Sequence, residues 1–84
     1  LSKQPFSFSL YPNPASGTTT VEIKGFETSN ARISVFDITG KELNIKIVRQ
    51  GNKIELDIST LSKGIYLVKV STFGESKTKQ LIIQ

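Results

Sequence analysis

The stretch Leu43-Asn44-Ile45-Lys46-Ile47-Val48-Arg49-Gln50-Gly51-Asn52-Lys53-Ile54-Glu55-Leu56-Asp57-Ile58 decides the fold. Leu43, Ile45 and Ile47 alternate with polar residues before Gln50-Gly51-Asn52, and Ile54, Leu56 and Ile58 do so after it. A period of two puts the apolar set on one face of an extended chain and the polar set on the other, the signature of a half-buried strand. Glycine at the centre supplies the positive φ of a tight reversal. The stretch therefore reads as strand, turn, strand, with water on one side.

The pattern extends in both directions. Phe6, Phe8 and Leu10 alternate with Ser7 and Ser9, and Val21 and Ile23 with Glu22 and Lys24. Residues 33–36 and 65–70 carry apolar side chains in both phases, as better-covered central strands do. Gly17, Gly25, Gly40, Gly51, Gly64 and Gly74 divide the chain into about seven strands. Asp37-Ile38-Thr39-Gly40 fits a type I turn, with Asp first and Gly fourth. No run of ten residues combines helical periodicity with a cap. Short strands without helices predict an all-β fold, an Ig-like antiparallel β-sandwich of about seven strands. Tyr66, just after Gly64, fits the tyrosine that such sandwiches bond back to nearby backbone. Residues 6–84 form one domain, and residues 1–5 read as the end of a linker from a preceding domain.

Composition narrows the chemistry. With 84 residues the chain has no core to spare for an internal cavity. It lacks Cys, His, Met and Trp. That removes disulfides, thiolate nucleophiles, most zinc sites, the side chain that most often titrates near neutrality, and the commonest platform for sugars. No cofactor and no metal are implied. A chain that opens at Leu1 rather than Met reads as a piece of a longer protein. Its longest aliphatic run, Leu81-Ile82-Ile83, is far short of the roughly 20 residues that span a bilayer.

Candidate chemistry is sparse. Glu55 and Asp57 share one strand face, but no cleft or aromatic platform accompanies them, so a solvated face is the expectation and catalysis is not. Eleven basic residues against seven acidic give a net charge of +4. The lysines are scattered and only Lys77 and Lys79 sit close on one face, so nucleic acid is not an expected partner. The last strand is different. Leu81 and Ile83 can face the core while Ile82 faces outward, and an apolar strand without cover invites pairing with another chain. Either it lies inside a sheet or a partner reads it.

Four segments, in order, resemble the C-terminal sorting domain of type IX secretion cargo, type A, from Gram-negative bacteria. Tyr11-Pro12-Asn13-Pro14-Ala15-Ser16-Gly17 resembles the family's opening segment. Ile33-Ser34-Val35-Phe36-Asp37-Ile38-Thr39-Gly40-Lys41 resembles its central hairpin, and Ile58-Ser59-Thr60-Leu61-Ser62-Lys63-Gly64-Ile65-Tyr66-Leu67-Val68 its L-x-x-G-x-Y segment. Lys79 to Ile83 resembles its basic-plus-aliphatic terminus. The family commonly places a basic residue directly before the final aliphatic run and often another at the end; here Gln80 and Gln84 stand there.

The resemblance implies an address rather than an activity. It implies a preceding cargo, passage through the periplasm, recognition by the outer-membrane translocon, and removal by a sortase-like peptidase near or before residues 1–5. Cargo would then be attached to the cell surface or released. The residues it implicates in recognition are Pro12, Asn13, Pro14, Gly17, Gly64, Tyr66, Lys79, Leu81, Ile82 and Ile83, with Asp37 and Gly40 as a structural turn. The competing class is an Ig-like adhesion or carbohydrate-binding module, which would need an exposed aromatic platform or clustered acids for calcium.

Overall fold

A computed structural model describes residues 6–25, 31–72 and 75–84. The linker assigned to residues 1–5, where cleavage was expected, and the turn at Gly74 lie outside the described residues. The strands are β1 (Ser7–Ser16), β2 (Thr18–Lys24), β3 (Arg32–Asp37), β4 (Glu42–Leu43), β5 (Lys46–Gln50), β6 (Lys53–Asp57), β7 (Gly64–Thr72) and β8 (Glu75–Ile83). They form a sandwich of two four-stranded antiparallel sheets, β1-β2-β6-β5 and β4-β3-β7-β8. The two sheets are joined where the end of β1 runs parallel to β8, with Ala15 beside Ile83.

The strands pair because each has an apolar face to bury. Val21, Ile23, Ile54 and Leu56 of the first sheet meet Val35, Val68, Val70 and Leu81 of the second in one core. Total exposed surface is 5407 Å², close to the roughly 5,000 Å² expected for a folded chain of this mass. Tyr66 makes the expected corner, its hydroxyl donating to the Ser62 carbonyl at 2.7 Å. Val68, two residues on, is fully buried, so aliphatic packing fills the position where antibody domains place half of their inter-sheet disulfide.

Eight strands replace the expected seven because the alternation over Leu43, Ile45 and Ile47 spans two elements. Leu43 pairs with Val35 in one sheet, and Lys46 pairs with Asp57 in the other. Asn44 and Ile45 carry the chain across the sandwich edge. All three aliphatic side chains still pack against the core, so the burial pattern survives the break in the ladder.

The apolar residues in both phases of β7 have a second explanation. The strand is central in hydrogen-bonding order, between β3 and β8, as expected. Its second phase is not covered, however, since Ile65 is 46% exposed and Leu67 38%.

Candidate functional site

Proline fixes φ and has no N–H to donate, so two prolines cannot continue a regular ladder. Pro12 and Pro14 therefore mark the point where β1 leaves β2. Pairing holds from Ser7 opposite Lys24 to Tyr11 opposite Thr20, then breaks and resumes only at Ser16 opposite Thr18. Both X-Pro bonds here, Tyr11-Pro12 and Asn13-Pro14, are cis. The resulting arch swings over to β8.

Asn13 makes the new contact. A side-chain amide carries the same donor and acceptor as a peptide unit, and here it stands in for one. Its Nδ2 donates to the Gln80 carbonyl at 2.8 Å, and its Oδ1 accepts the Ile82 N–H at 3.0 Å. The Gln84 N–H then donates to the Ala15 carbonyl at 2.9 Å. The last residues of β8 are thus held between β7 on one side and the arch on the other. The final residues of β8 lie inside a sheet, one of the two expectations for this strand.

Two further residues anchor the arch from the β2 side. Thr19 is fully buried, and its hydroxyl donates to the Pro12 carbonyl at 3.0 Å. Tyr11 donates from its hydroxyl to Glu22 Oε1 at 2.8 Å, and this bond to a carboxylate holds the phenol above its ordinary pKa. Sequence reading missed Thr19, because nothing in Thr18-Thr19-Thr20 marks the middle hydroxyl as the inward one until the phase of Val21 and Ile23 is carried back through it.

The expected residues divide by place. Pro12, Asn13, Pro14, Gly64, Tyr66, Leu81, Ile82 and Ile83 lie at one end of the sandwich, where Gly64 is opposite Ile83 and Tyr66 opposite Leu81. The Asp37–Gly40 turn adjoins them across β7, with Asp37 opposite Tyr66. Gly17 turns toward the other sheet, its carbonyl accepting from the Ile58 N–H at 2.9 Å. Lys79 sits further back along β8. Its ammonium lies 5.8 Å from the Phe8 ring centre, as Lys77 lies 5.5 Å from that of Phe6. Both lysines are exposed and stand in the strand phase of Leu81 and Ile83, opposite Val70 and Val68, as charges that guard a strand edge do.

The Asp37 turn is built by its own carboxylate. Oδ1 accepts from the Thr39 hydroxyl at 2.6 Å and from the Thr39 and Lys41 N–H groups at 2.9 and 3.0 Å, while the Gly40 N–H closes the type I turn onto the Asp37 carbonyl. Gly40 follows at φ +92°, where a side chain is strained even though the space around it is open. The Thr39 hydroxyl first, then the Lys41 N–H, lower the Asp37 pKa. Asp57 is lowered likewise, by the Ser59 hydroxyl first and then the Ser59 N–H.

A depressed folded pKa stabilises the fold above the unfolded value of about 4 and loses that contribution as pH falls through the folded value. The denaturation midpoint is therefore expected to drop below about pH 4. The Asp37→Asn/Asp57→Asn variant should drop less, and an equal drop would show that neither carboxylate matters.

Glu55 and Asp57 face outward beside Thr18 and Lys46, in an open depression of about 270 Å³. The Asp57 carboxyl is committed to Ser59 and held in its ionised form, which is the opposite of what a general acid needs. Among the described residues no acidic cluster of three or more side chains could hold a metal ion, and no helix is long and apolar enough to cross a membrane.

Comparison with curated proteins returns no match. Comparison with protein families does: residues 9–84 match the secretion system C-terminal sorting domain. That span runs from β1 through the Asn13 arch to the end of β8, and so includes every element of the clamped terminus. The chain belongs to the family of type IX secretion C-terminal sorting domains.

Proposed function

We propose that this domain is the address that takes an N-terminally attached cargo through the type IX translocon, and that the translocon reads the composite end where the Pro12–Pro14 arch grips β8. The observation that carries this reading is the double hydrogen bond of Asn13 to Gln80 and Ile82. Segments at opposite ends of the sequence become one rigid surface, so a receptor meets a folded shape rather than a linear tag. The domain contributes no catalysis of its own. A sortase-like peptidase then cuts ahead of the first strand, and the cargo passes from the periplasm to the cell surface or the medium.

A transplant tests it. Residues 1–84 are fused behind a periplasmically targeted fluorescent protein in a type IX-competent strain and in a secretion-deficient one. The expected result is surface or extracellular reporter in the competent strain alone, with a mass showing loss of the domain. Folded fusion retained in the periplasm of both strains overturns the reading.

A further inference from the structure

The outer faces of the two sheets differ. That of β1-β2-β6-β5 is mostly polar, with Thr18, Thr20, Glu22, Glu55 and Asp57 turned to water and Tyr11 and Val48 as its exposed large apolar side chains. On the other sheet the outward phase is apolar at one end. Ile65 is opposite Ile82 across β7 and β8, and Leu67 is opposite Phe36 across β7 and β3. Directly opposed side chains touch, and residues two apart on one strand share a face. These four therefore form one patch, with Ile65, Leu67 and Ile82 each 38–46% exposed and Ile38, 75% exposed, on the adjoining turn. Single exposed aliphatics are ordinary, whereas a contiguous set marks an interaction surface.

The patch adjoins the arch-and-terminus surface, because Ile82 donates its N–H to Asn13 while its side chain belongs to the patch. Charge indicates the occupant. Lys69 of β7 and Arg32 of β3 lie in the same outward phase, and Lys63 and Lys41 immediately precede β7 and β4 in sequence. Glu42 is the acidic residue on that face among the described residues, and the Asp37 carboxylate is taken up by its own turn. A second copy of this chain would bring this basic rim against itself. A flat patch without Trp, and with its tyrosines elsewhere, also lacks the amphipathic rings that favour a lipid interface.

We infer that the outer face around Phe36, Ile65, Leu67 and Ile82 docks on a protein of the secretion machinery that presents an aliphatic surface flanked by carboxylates. This inference rests on the sorting function proposed above and specifies a second recognition element for it.

The test compares fusions of the full chain to the periplasmic reporter. One carries Ile65→Thr/Leu67→Thr/Ile82→Thr, which keeps strand-forming residues on a solvated face. A second carries Lys63→Glu/Lys69→Glu, and a control carries Val48→Thr on the opposite sheet. Circular dichroism melts confirm that each is folded. Surface reporter is expected to fall by about tenfold or more for the first variant, to fall also for the second, and to hold for the control. Failure of the unmodified fusion to reach the surface overturns the sorting reading itself. Normal delivery of the triple variant, with the unmodified fusion exported, overturns the docking face alone. Delivery unaffected by charge reversal overturns the carboxylate-flanked partner. A concentration-dependent dimer in sedimentation, or flotation with phosphatidylglycerol vesicles, each abolished by the triple substitution, would instead assign the face to a second copy or to lipid.

Discussion

Deleting residues 81–84 is expected to abolish the cooperative unfolding transition. Leu81 and Ile83 are buried, and removing a core Leu or Ile side chain costs about 2–5 kcal/mol. Two such losses consume most of the roughly 5–15 kcal/mol that holds a domain of this kind together. The deletion also takes the Ile82 N–H from Asn13 and the Gln84 N–H from Ala15, and leaves Gly64 and Tyr66 without their partners on β8. Amide dispersion in the NMR spectrum and the thermal melt should collapse together. A truncated domain that melts cooperatively within a few degrees of the intact one would show that β8 is an appendage. Failure of this truncation to be exported would thus report lost folding, and the recognition question passes to gentler variants. Ile82→Thr is one, since its half-exposed side chain should cost under about 1 kcal/mol.

Asn13→Asp is expected to lower the melting temperature by roughly 5–20 °C at neutral pH, from a loss of about 1–3 kcal/mol. The change is isosteric, so the Ile82 N–H keeps its acceptor. The donor to the Gln80 carbonyl becomes a second oxygen facing a carbonyl 2.8 Å away. Repulsion there disfavours the ionised form and raises the new carboxyl's pKa. A raised folded-state pKa reverses the usual acid behaviour. The variant gains stability on protonation, so its deficit against the parent should shrink as pH falls toward 5. Hydrogen exchange should quicken most at Ile82 and Gln84, while Val68, buried on β7, quickens only as far as global stability falls. A uniform deficit at every pH would mean that Asn13 acts through backbone preference rather than through its amide.

Much of this was legible from residue order alone, and the remainder was not for definable reasons. Alternation located the strand pairs, because the phase of Ile54, Leu56 and Ile58 is dictated by burial and the structure buries all three. Tyr66 and the Asp37 turn were legible because each is a local device, closed within a few residues. The arch was read as a turn and is the path of one strand between two sheets, since a proline pair says where a ladder stops but not what lies beyond it. The partnership of Asn13 with β8 spans 67 and 69 positions, and no local pattern encodes that. Nor does alternation reveal cover: both phases of residues 65–70 are apolar whether a second layer or a partner is meant to meet them, and among the described residues no second layer does. The recognition residues were named by likeness to a family. The fold brings most of them to one end, while Gly17 and Lys79 take up positions with evident structural work.

The closure of β1 on β8 also has a consequence for biosynthesis. Ala15 finds its partner only when Ile83 is in place, so the sandwich shuts across nearly its whole sequence and cannot finish from its first half. Contacts so distant form late and slowly. A polypeptide broken at any point between Gly17 and β8 would lack the strand that completes the surface, however well its cargo had folded. Under the function proposed above, the address would therefore exist only once β8 is in place: a chain lacking that strand would lack the partners of Asn13 and Ala15 that assemble the arch surface.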